Sequence, residues 1–184
     1  MMKPWVVWAV GVTLLVVAWG VTKVTPGAEL TEASFVTPAT IGERALGSEL
    51  ALTIDEVVIA STVSDSRGWT AEGQWLIVDL QMSAQTTEEV TSLSTAILTV
   101  DGKMYQASER PQSLFLESLG ADIVTTGSVA FELPAGADSQ AATLRFAPKA
   151  GDVRLDSVIE LSFDLGDLSH ERSRELRPTV GGGL

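Results

Sequence analysis

Between Gln74 and Ala84 the apolar residues fall on every second position: Leu76, Val78, Leu80, Met82 and Ala84, with Asp79, Gln81 and Ser83 between them. A side-chain period of two is the signature of a β-strand, so this stretch predicts a strand with one face in a core and the other mostly wet. The period returns at Leu50, Leu52 and Ile54, slips at Asp55-Glu56, and resumes at Val57, Ile59 and Val63. One inserted bulge residue near the two acids would produce that slip.

Ala96–Val100 and Lys103–Ala107 flank Asp101-Gly102. That dipeptide accepts the two positive φ angles of a type I′ hairpin turn. Ile123–Leu133 alternates again until Pro134, which has no N–H for a ladder. Ala142, Leu144 and Phe146 make a short face, and Ile159, Leu161, Phe163 and Leu165 alternate with Glu160, Ser162 and Asp164. About seven strands without an amphipathic helix predict an all-β fold, an immunoglobulin-like antiparallel two-sheet sandwich. The chain has no cysteine, so apolar packing rather than a disulfide must hold the sheets together.

Ahead of this domain, the stretch from Pro4 to Thr22 carries no charge and is bounded by Lys3 and Lys23. About 20 apolar residues cross a ~30 Å hydrocarbon core, so the stretch predicts a transmembrane anchor over residues 1–23. Trp5 and Trp8 near one end and Trp19 near the other suit the headgroup interfaces, and Lys3 and Lys23 can snorkel outwards. The competing reading is a cleaved signal peptide, because Ala18-Trp19-Gly20 puts small residues where a signal peptidase reads; the domain would then be secreted. The positive N-terminus favours the N-terminal end inside and the domain outside. Residues 24–38 read as a linker, 39–168 as the sandwich, and 169–184 as a polar, disordered tail, since that segment leaves the strand period and ends in Pro178 and three glycines.

Three stretches carry a family resemblance. Trp75–Met82 is one long apolar strand; Leu98–Tyr105 is a strand, an Asp-Gly turn and an aromatic; and Gly120, Gly127 and Phe131-Glu132-Leu133-Pro134 precede Leu144-Arg145-Phe146. Together, over Leu50–Leu165, they resemble the telokin-like immunoglobulin-fold domain of unknown function found in bacterial envelope proteins. The resemblance implies a sandwich displayed outside the bacterial cytoplasmic membrane, and no defined activity.

The residues themselves argue against most chemistry. A formal net charge of −12 excludes nucleic acid as a natural partner. His170, the only histidine, lies in a polar tail without convergent partners, so no convincing framework for a Ser-His-Asp triad or a histidine metal cluster is present, and no cofactor, metal site or enzyme activity is expected. Asp55-Glu56 and Glu88-Glu89 lack the spacing of a calcium loop and read as solvated strand or loop ends. What remains is a set of candidate partner contacts: Trp69 beside Gly68, the run Leu114-Phe115-Leu116, and Arg172, Arg174 and Arg177 in an otherwise acidic protein. Leu114–Leu116 also fits a buried edge strand, and Trp69 also fits packing over the sandwich end. The arginines suit docking onto an acidic partner surface. The reading is a non-enzymatic, single-pass membrane protein whose sandwich binds another protein, as an accessory subunit of a membrane complex. The alternative is a sensing module for an ion, glycan or lipid in the cell envelope.

Overall fold

The computed structural model describes residues 13–14, 35–85, 91–121, 123–134, 136–137, 140–148 and 157–181. The chain divides into two units, Met1–Ala33 and Ser34–Leu184. Of the first, only helical Thr13 and Leu14 are described, so the expected anchor with Lys3, Trp5, Trp8, Trp19 and Lys23 lies outside the described residues. Among those described, no helix is long and apolar enough to cross a membrane.

The second unit is all β. Its strands are β1 (Phe35–Pro38), β2 (Arg44–Leu46), β3 (Leu50–Ser64), β4 (Thr70–Ala84), β5 (Thr91–Ser92), β6 (Thr95–Val100) and β7 (Lys103–Gln106). They continue as β8 (Ser118–Leu119), β9 (Thr125–Leu133), β10 (Ala141–Ala147), β11 (Ser157–Asp164), β12 (Ser169–Glu171), β13 (Arg174–Glu175) and β14 (Val180–Gly181). A five-stranded sheet runs β1-β11-β10-β6-β7, a seven-stranded sheet runs β12-β3-β4-β9-β14 with β2 and β13 also on β3, and β5 pairs β8.

The expected inward faces meet between the two large sheets. Leu76, Val78, Leu80 and Met82 of β4, Leu52 and Ile54 of β3, and Val129 and Phe131 of β9 pack against Leu98 of β6, Leu144 and Phe146 of β10, and Ile159 of β11. Full burial of such side chains contributes roughly 1.5–3 kcal/mol each. The expected slip in β3 is a register shift between Ile54 and Glu56, with a second between Ala60 and Thr62. Asp101 and Gly102 have φ of 49° and 71°, as a type I′ turn requires.

Four expectations are corrected. The sandwich is not purely antiparallel: β1 pairs β11 in parallel, and β12 and β13 pair β3 in parallel. Phe35–Pro38, counted with the linker, is an edge strand; it pairs through its backbone and exposes Phe35 and Val36, so it has no periodic apolar face to betray it. The second face of β4 is not wet, because Trp75, Ile77, Asp79 and Ser83 are all buried. Finally, residues 169–181 are no disordered tail. They form three short strands on the seven-stranded sheet, held by backbone pairing and ionic contacts that leave no strand period in the sequence.

Candidate functional site

The covering of the outer face of the seven-stranded sheet begins with a bend in β3. The second register shift, at Ala60/Thr62, lets the tip of the β3–β4 hairpin turn across that face. Asp65 fixes the tip: one carboxylate oxygen accepts the amides of Arg67 and Trp69, and the other accepts the Gln112 amide at 2.8 Å. Gln112 belongs to the connection that runs beside β9, where Ser108 and Leu114 donate to the carbonyls of Ala130 and Ser128. The Gln112 amide above all, helped by the other two amides against the effect of burial, holds the Asp65 carboxyl below its ordinary pKa.

The other cover is the C-terminal strap, residues 169–181. It pairs with the β3 edge through β12 and β13, crosses the sheet, and ends as β14 on β9. Leu176 is its one buried residue, and it packs with Val58, Trp75, Ile77 and Ala130 in a second, smaller core. Beside Leu176, Asp79 is the electrostatic centre. This carboxylate is only 3% exposed; it accepts the Ser128 hydroxyl on Oδ1 and Arg174 Nη2 at 2.7 Å on Oδ2, with Arg177 Nη2 at 3.5 Å. Arg174 also bonds Glu56 at 2.6 Å and Glu171 at 3.0 Å, while Arg177 bonds Asp55 at 2.6 Å and its amide donates to Ser128 Oγ. Burial works against the charge on Arg174, but the hydrogen bonds it donates to Asp79 and Glu56 outweigh that and raise its pKa, so the guanidinium stays cationic. Register explains the convergence: Glu56, Asp79 and Ser128 are direct neighbours on adjacent strands.

The expected contact residues therefore separate. Arg174 and Arg177 meet acids of their own domain, whereas Arg172 is exposed. Trp69 is half-buried, edge-on to Trp75 at 5.8 Å, and Arg110 lies 5.8 Å and 5.3 Å from the two indole centroids while bonding Glu132 at 2.8 Å. The run Leu114-Phe115-Leu116 is a turn, not a strand: Leu114 and Phe115 are buried, whereas Leu116 is 50% exposed with φ of 68°. That left-handed conformation is unfavourable for a bulky residue. It is fixed here by the bonds from the Leu116 amide to Leu93 O and from the Glu117 amide to Leu114 O. His170 is exposed on β12.

Asp79, Ser128, Asp55 and Glu56 are the residues that sequence reasoning missed as a site. The available signal was an acid in the middle of a long apolar strand in a chain whose only arginine cluster lies at its end. No group of three or more potential metal ligands occurs among the described residues. An open groove of about 560 Å³ runs between Met104, Tyr105 and Gln106 of β7 and Glu132, Leu133 and Pro134.

Residues 39–153 match the sequence model of a family described as a domain of unknown function, DUF4352. The matched segment spans β2 to β10 and stops before β11 and the strap. No curated protein matches. Among solved structures, an uncharacterized β-sandwich protein from Clostridium difficile 630 is similar at 13% identity, over 70% of this chain and 96% of that one, with a TM-score of 0.48.

Proposed function

The chain belongs to the DUF4352 family, a domain of unknown function, and on that premise we propose that it is a non-enzymatic protein-binding module. In this reading a telokin-like immunoglobulin fold is held outside the bacterial cytoplasmic membrane by a single-pass N-terminal anchor, as an accessory subunit of a membrane complex. The uncharged stretch Pro4–Thr22 with tryptophans at both ends supports the tether.

The observation that carries the binding role is Leu116. Two buried neighbours and two backbone bonds hold this leucine in a strained conformation that keeps half of its surface in water. Strain of this kind persists only where the surroundings impose it, and an imposed, exposed apolar side chain suits partner contact. Trp69, half-buried with Arg110 over its ring, supplies an aromatic side chain as a second candidate contact.

The test compares detergent pull-downs of the full-length protein with Leu116→Asp and Trp69→Ala. Loss of one specific partner with Leu116→Asp at unchanged Tm is expected, and identical recovery from all three proteins would remove the reading. Retention in carbonate-washed membranes with residues 1–23 present is expected for the tether; a soluble chain beginning at Val21 would show that the segment is a cleaved signal.

A further inference from the structure

The strap is built unlike the rest of the domain. Leu176 is its single buried side chain, its strands are two or three residues long, and short backbone pairings and ion pairs hold the remainder. Arg174 and Arg177 side chains are 23% and 39% exposed, so water and salt reach the clamp. The layer also forgoes hydrogen bonds: Trp75 Nε1 and Thr179 Oγ1 are buried with no partner among the described residues. Elements with few buried apolar contacts and screened ionic contacts open at lower free energy than the core beneath them.

The face below is differently made. It carries the carboxylates of Asp55, Glu56 and Asp79 beside an apolar seat formed by Val58, Ile77, Trp75 and Ala130. Three carboxylates facing two guanidiniums leave it acidic even when the strap is seated. A surface with that order of charge and apolarity recognises an extended chain in which arginines flank a leucine at the spacing Arg174-Glu175-Leu176-Arg177.

We infer that this outer face is a docking site for a basic, extended peptide segment of the Arg-x-Leu-Arg type on a partner protein, and that the strap occupies it as a built-in competitor. The inference deepens the protein-binding reading and rests on it for the existence of a partner. The peptide assay needs neither the membrane nor Leu116, so its failure and the failure of that reading are separate results.

The test uses the full-length protein in detergent and a labelled peptide with the sequence of residues 168–181. In the variant Arg174→Ala/Arg177→Ala the clamp is removed from the strap and the face is left intact. The peptide should bind this variant at least tenfold more tightly than the wild type, and Arg177→Ala alone should give a smaller gain. Adding Asp79→Asn to the double variant should cancel the gain, as should raised salt. Equal or absent binding to wild type and a folded double variant would overturn the inference. So would loss of cooperative melting in the double variant, because a face that collapses without its strap is no receptor. Dimerisation of the wild type with no peptide binding would assign the face to strap exchange between copies and overturn it equally.

Discussion

Asp79 and Val78 are consecutive in β4, and both are buried, but for opposite reasons. Val78 faces the other sheet, where a carboxylate would have no partner, so Val78→Asp should abolish folding at a cost of several kcal/mol. Asp79 faces the strap, where its charge is matched by Arg174 and Arg177 and its second oxygen by Ser128. Asp79→Asn leaves those cations one acceptor short; since Glu56 and Glu171 still hold Arg174, the expected loss is about 2 kcal/mol rather than the full penalty for an orphaned buried charge. The midpoint of urea unfolding measures it, and an unchanged midpoint would contradict the buried pair. Asp65 offers a titration. Its folded pKa lies below the ordinary carboxylate value of ~3.9. Its stabilising contribution is therefore complete above that value and is lost as pH falls through it towards the lower folded pKa. The stability difference between wild type and Asp65→Asn should accordingly shrink as pH falls below ~3.9, and a constant difference would rule the linkage out. At this scale the inward residues were legible, because apolar side chains at period two announce a face. Asp79 was not, since an acid between apolar neighbours looks the same whether water or an arginine a hundred residues away lies opposite.

The hairpin β6–β7 and strand β9 are held by glycines for different reasons. Gly102 has φ of 71° in a two-residue turn, so Gly102→Ala should cost about 1 kcal/mol in the melting curve through backbone strain alone. Gly127 has no such angle, but a Cβ there would stand 2.7 Å from Leu114 Cγ. Gly127→Ala should therefore cost roughly 1–3 kcal/mol by overpacking, and Leu114→Ala in the same chain should recover part of that; no recovery would place the clash elsewhere. Strand existence and the Asp101-Gly102 turn could be read directly, because local chemistry fixes both. The edge strand β1 and the strap could not, because their pairing is made by backbone groups and by ion pairs that join distant segments, and neither writes a periodic pattern.

At the scale of the molecule, two facing sheets make the main core and a hairpin tip plus the strap make a thinner outer layer on one of them. Composition hid that layer: a chain of formal charge −12 reads as uniformly acidic, yet its terminal arginines fold back onto Asp55, Glu56 and Asp79. The family match ends at residue 153, so the strap is a property of this chain that the matched segment does not describe. The outer layer exists only if that segment is seated. Hydrogen exchange of the full-length protein at low salt reads it amide by amide, because Leu176 donates to Ser64 O and Arg177 donates to Ser128 Oγ. These two amides should exchange at least ~100-fold more slowly than in an unstructured chain, yet faster than those of β4, and raised salt should speed them selectively. Exchange of residues 169–181 at the unstructured rate, while β4 stays protected, would return the segment to a free tail and contradict the account.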